Sequence, residues 1–112
     1  MFIQFLIFVA SGLFQVAIAI PMVQRRVPRN LFYGFRTRKT MRDERTWYAA
    51  NEYCGRQLVL GGAVQCLGAF LLLPICYFLP DSIATYSLSC TAVVLVTVSW
   101  VIWRSFAFLN RL

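Results

Sequence analysis

The stretch Val27 to Gly55, VPRNLFYGFRTRKTMRDERTWYAANEYCG, decides how the rest of the chain is read. It is the one long polar segment in a sequence that is 60% hydrophobic and 13% charged, a balance outside that of soluble domains. Nine of the eleven Lys and Arg residues, with three of the four acids, fall between Arg25 and Arg56. Working outward, each flank is close to continuous apolar sequence. The expected fold is an all-α membrane protein with three transmembrane helices and a basic interfacial loop between the first and second. The spans are placed at about 2–22, 57–79 and 83–103, with the loop and a helix start over 23–56, all in one small membrane domain.

The first flank, Phe2 to Ile20, is long enough to cross a bilayer as a helix. Ala17-Ile18-Ala19 resembles a signal-peptidase site. Met1 to Ile20 carries no Lys or Arg, however, and Arg25-Arg26 follow at once and oppose export, so a retained helix is expected. Pro21 and Pro28 bring it to an end. On the other flank, Gln57 to Leu79 carries Gly61, Gly62, Gln65 and Gly68 as a small-residue face with one amide, and Pro74 is expected to kink it. Pro80-Asp81-Ser82 makes a short turn into a third span that ends at Trp100, Trp103 and Arg104, an interfacial anchor. The concentration of positive charge puts the basic segment on the cytoplasmic side of a bacterial inner membrane, with the N-terminus outside and the C-terminus inside.

Counted from the inner boundary of each span, Gln15, Gln65 and Thr97 lie at matching depth. Polar groups stranded in hydrocarbon seek partners, so a Gln15 to Gln65 contact with Thr97 nearby is predicted, worth about 0.6–2 kcal/mol. A polar substrate pathway is the weaker reading, because no span holds an Asp, Glu, Lys, Arg or His.

Within the basic stretch, Gln24 to Lys39 has no helical or strand period. Leu31, Phe32, Tyr33 and Phe35 interleave with Arg29, Arg36 and Arg38, which suits rings at the interface and guanidinium groups on phosphates. Gly34 among these rings calls for positive φ or a close backbone approach. Thr40, with Asp43 three residues on, reads as the N-cap of a helix that carries Trp47, Asn51 and Gly55 on one face and a Glu52 to Arg56 pair on another. Asn30, Tyr33, Arg36, Thr37, Trp47 and Asn51 are therefore the candidate residues for holding a lipid headgroup or a protein partner. Gln15, Gly55, Gly61, Gln65, Gly68 and Thr97 are the candidates for helix packing. The alternative for Trp47 and Gly55 is an interfacial anchor and a close helix approach, with no ligand.

No histidine and no CxxC spacing are present, so neither a metal site nor a cofactor is expected; of the four cysteines only Cys76 and Cys90 lie at similar depth. No nucleophile stands beside a base, so no enzyme is expected. Basic charge held between spans points to anionic headgroups and not to nucleic acid. A protein partner is expected as well, either another copy of the chain or a larger membrane complex.

The run Pro28-Arg29-Asn30, Tyr33-Gly34-Phe35-Arg36-Thr37, Thr40, Trp47, Ala50-Asn51 and Gly55 resembles the hallmark of the SdpI family of small bacterial membrane proteins. Arg29 intervenes where that family often joins proline directly to asparagine, and Cys54 before Gly55 is not part of the pattern. The resemblance implies a relative of immunity proteins that protect a producer from its own killing peptide and can signal by sequestering a repressor at the membrane. The longer immunity proteins carry additional spans, so this chain resembles the hallmark domain alone. A structural accessory subunit of a larger membrane complex is the alternative.

Overall fold

The computed structural model describes residues 2–30 and 32–112. It consists of three helices, α1 (Phe2–Val23), α2 (Glu44–Tyr77) and α3 (Ser82–Leu109), with no strand among the described residues. Each contains an apolar window sufficient to span a membrane. At 1.5 Å per residue α1 is about 33 Å long, a close match to a hydrocarbon core of about 30 Å. By the same rise the 34 residues of α2 reach about 50 Å. The excess is the polar part before Gln57, which extends α2 past the apolar layer as one unbroken rod. Helix α3 outlasts its expected apolar stretch by a further turn and a half, from Arg104 to Leu109.

Helix α2 is central: α1 and α3 both pack along it and scarcely meet each other. On the α1 side two glycines face one another. A Cβ on Gly12 would lie 2.8 Å from the Gly62 carbonyl oxygen, and one on Gly62 would lie 2.7 Å from that of Gly12, so the two backbones approach as only glycine permits. Gly55 meets Ala19 and Met22 of α1 in the same manner, whereas Gly68 looks the other way, onto Val93 of α3. The small-residue face expected on α2 is thus shared between two neighbours.

In the middle of the layer Gln15, Gln65 and Thr97 meet as predicted. Gln65 Nε2 donates to Gln15 Oε1 and to Thr97 Oγ1, both at 2.9 Å; Gln15 Nε2 donates to the Leu58 carbonyl at 2.9 Å and Thr97 Oγ1 to that of Val94 at 3.0 Å. The direction of this chain is set at its two ends, because a backbone carbonyl can only accept. Gly61 leaves room for it: a Cβ there would stand 2.9 Å from Gln15 Nε2.

Toward the α2–α3 hairpin, Ala69, Cys76, Tyr86 and Cys90 form a buried cluster backed by Phe5 and Phe8. Tyr86 donates its hydroxyl to the Ala69 carbonyl at 2.8 Å. Cys76 and Cys90 are both buried there as free thiols. Large apolar side chains such as Phe14, Leu71 and Leu95 point outward, as a lipid-facing surface requires.

Candidate interfacial site

The loop at the basic end starts from an abrupt stop in α1. Arg26 N–H donates to the Pro21 carbonyl and Arg25 N–H to that of Met22, the paired bonds of a Schellman ending. The residue this motif places in the left-handed region is Arg25, at φ 58°, where glycine is usual. Its guanidinium is turned onto α2, and Arg25 Nε lies 2.5 Å from Glu52 Oε2, while Arg56 Nη2 holds Glu52 Oε1 at 2.8 Å. Glu52, one turn before the apolar part of α2, therefore joins α1 to α2 as well as making the expected pair with Arg56. The hydrogen bond from Arg25, aided by both arginine charges, holds its carboxyl below the usual glutamate range.

Asn30 builds the next turn. Its Oδ1 accepts from the amides of Phe32 at 2.8 Å and Tyr33 at 2.6 Å, and its Nδ2 donates to the Pro28 carbonyl at 2.8 Å. Tyr33 then reaches back and donates its hydroxyl to the Ile18 carbonyl of α1. Gly34 follows at φ 112°, the positive value its position called for. A Cβ here would lie 2.7 Å from Asn51 Oδ1 and 3.1 Å from the Trp47 ring, so the backbone passes directly over both. Asn51, 1% exposed, receives it: Oδ1 accepts from Phe35 N–H at 2.6 Å, and Nδ2 donates to the carbonyls of Phe35 at 3.2 Å and Trp47 at 2.9 Å. Trp47 is fully buried, and its Nε1 donates to the Val27 carbonyl at 2.8 Å. The side chain is thus a post inside the loop, not an anchor facing the bilayer. Phe35 closes the far side edge-on to Phe106 of α3 at 5.2 Å.

Thr37 and Thr40 form a second, reciprocal turn. Thr37 N–H donates to Thr40 Oγ1 at 2.7 Å and Thr40 N–H to Thr37 Oγ1 at 3.1 Å. This corrects the expected N-cap. Thr40 is spent on that turn, α2 begins at Glu44, and the cap is Asp43, whose carboxylate accepts from Thr46 N–H at 2.7 Å. That bond holds the Asp43 carboxyl below its usual range. The bond count explains the difference, since a Thr40 hydroxyl already engaged with Thr37 is not available to a helix three residues on. The signal was a Thr-x-x-Thr pair followed by an aspartate directly before the helical run.

Asn30, Tyr33, Thr37, Trp47 and Asn51 therefore direct their polar groups at backbone atoms or at each other within the folded loop. Arg36 stands among them with its side chain exposed, as do Arg26, Arg38, Arg42 and Arg45. Phe32 is 92% exposed at the tip, while Tyr33 and Phe35 are partly buried; Leu31, expected among the interfacial rings, lies outside the described residues. Two open hollows flank α2 at this end. One of about 620 Å³ is lined by Asp43, Arg45, Thr46 and Arg111, and one of about 230 Å³ by Arg25, Glu52, Arg56 and the stacked pair Tyr53 and Phe108. No cluster of His, Cys, Asp and Glu that could hold a metal occurs among the described residues.

The SdpI/YfhL protein family model matches residues 26–105, which contain all but the first two residues of this loop, all of α2 and most of α3. The chain belongs to that family. It is a membrane protein of the SdpI family with three candidate spans. No curated protein and no solved structure matches it. The SdpI hallmark residues quoted from the sequence all lie in the matched region, and they converge on a single loop fold supported by α2. Sequence reasoning missed Tyr33 as a tether to α1, Arg25 as the partner of Glu52, and Asp43 as the cap.

Proposed function

We propose that this protein is a toxin-immunity or membrane-signalling protein that works through its basic face. The face lies on the cytoplasmic side of a bacterial inner membrane, with the N-terminus outside and the C-terminus inside. It takes a phosphate or carboxylate group, presented by a lipid headgroup or by a protein partner. The observation that supports this reading most is the division of labour in the loop. The polar side chains of Asn30, Tyr33, Thr37, Trp47 and Asn51 are used in folding it, while Arg26, Arg38 and Arg42 stand on its exposed surface. A loop tied to α1 by Tyr33 and to α2 by Asn51 holds the backbone that carries its arginines in place, which lowers the ordering cost of each forked contact to an oxyanion.

The experiment that tests this is purification in mild detergent followed by mass determination of the intact particle. The wild-type chain is compared with a variant carrying Arg26→Gln, Arg38→Gln and Arg42→Gln. The reading expects a small particle whose bound anionic lipid or protein partner is lost in the variant at unchanged expression. A stoichiometric place in a large assembly, kept after the charges are removed, refutes it and makes the chain an accessory subunit.

A further inference from the structure

Away from the basic loop, the surface between α2 and α3 is not evenly filled. A groove of about 250 Å³ runs along it, floored by Gly61 and Thr97 and walled by Leu60, Val64, Val96 and Trp100. A second hollow of about 290 Å³ shares Val64, Val96 and Thr97 with the first and carries the groove on to Ala92 and Val93. The floor is buried and the walls are half-exposed, so the groove opens sideways into the apolar layer. Its walls are aliphatic and aromatic side chains with no charged group among them. A thin, flexible hydrocarbon fits.

The end of the groove nearest the basic loop supplies the second observation. Trp100 closes it, donating Nε1 to Gln57 Oε1 of α2 at 3.3 Å. One turn further along the same face of α3, the Arg104 guanidinium lies over the Trp100 ring, 5.4 Å from its centroid. Arg104 Nε is buried without a hydrogen-bond partner, and among the described residues no acid pairs with this side chain. A half-buried cation without a counter-ion, at the mouth of an apolar slot and beside an interfacial tryptophan, is chemically complementary to a phosphate with an alkyl chain attached.

We infer that the α2–α3 groove holds one acyl chain of an anionic phospholipid from the leaflet at the basic end, with its phosphate against Arg104. The chain lies over Gly61 and Thr97, and the headgroup stays at the level of Trp100. The site is separate from the loop and stands whether or not the basic face has the role proposed above.

Native mass spectrometry of the full chain tests it, after incubation with phosphatidylglycerol or with phosphatidylcholine of the same acyl chains. The wild type is expected to retain one phospholipid, with roughly a tenfold preference for phosphatidylglycerol, as a charge-assisted contact provides. V64W and V96W fill the groove from exposed positions on opposite walls, and both lose the retained lipid of either type. R104Q keeps a lipid but brings the preference within twofold. Glycerol phosphate, which has the headgroup chemistry and no chain, displaces nothing. The pair R38Q and R42Q, which bears on the basic face, still retains the phospholipid that V64W and V96W remove, whatever lipid the face itself loses, so the two readings fail separately. Full retention in both tryptophan variants, an unchanged preference in R104Q, or loss of that groove lipid in the loop pair overturns the inference. A lipid-free dimer of the wild type also overturns it and assigns the groove to a second copy.

Discussion

Asn51→Ala is the sharpest single test of how the loop is held. The substitution removes three hydrogen bonds, but they are not equivalent. The Trp47 carbonyl keeps its place in the α2 ladder, whereas the amide and carbonyl of Phe35 have no other partner offered by the helix. Each stranded group costs about 1–3 kcal/mol, so loop docking weakens by about 3 kcal/mol in all. At about 1.4 kcal/mol per factor of ten, the undocked population rises roughly a hundredfold. Trypsin reads that population directly, because Arg36, Arg38 and Lys39 all lie in the loop and cleavage follows the open fraction when closing is fast. The expected result is cleavage between α1 and α2 at roughly a hundred times the wild-type rate, with all three helices retained. Gly34→Ala reaches the same open state by another route. It places a non-glycine residue at φ 112° and a Cβ 2.7 Å from Asn51 Oδ1, strain of about 1–3 kcal/mol before any bond is lost. Because either change releases the loop, the double variant is expected to fall well short of the sum of the two. A cleavage rate within threefold of wild type for Asn51→Ala, or full additivity with Gly34→Ala, refutes the reasoning.

Two further outcomes are expected. Gln65→Leu leaves Gln15 donating to Leu58 and Thr97 donating to Val94, and also removes the unpartnered Gln65 Oε1, so the net loss is about 1 kcal/mol in detergent unfolding; a loss above 3 kcal/mol means the three residues act as a tighter unit than their bonds imply. The Glu52 carboxyl is held low in the folded state, so its contribution is present above the usual glutamate range and is lost as pH falls through the lowered value. With Arg25 and Arg56 both well exposed, the thermal-stability gap between wild type and Glu52→Gln is expected to be at most about 1 kcal/mol at neutral pH and to shrink as the pH falls below the usual glutamate range, and a gap that persists or widens in acid contradicts this.

Hydropathy and charge were sufficient for the three spans, and matched depth was sufficient for the Gln15, Gln65 and Thr97 contact. The reason is physical: hydrocarbon offers no other partner, so length and polarity alone constrain what must cross and which amides must meet. The glycine at the loop crossing was equally legible, because few residues tolerate that backbone. What only the tertiary structure decided concerns residues with more than one eligible partner. Thr40 could cap a helix or close a turn with Thr37, and the turn won because both hydroxyls are satisfied there at once. Glu52 could pair along its own helix or across to α1, and it does both once Arg25 is turned by the end of α1. Asn30, Tyr33, Trp47 and Asn51 could bind a ligand or fold the loop on sequence grounds alone. Asn30 folds its own turn, whereas Tyr33, Trp47 and Asn51 reach backbone atoms up to twenty positions away, distances along the chain that become contacts only when the loop lies against α1 and α2.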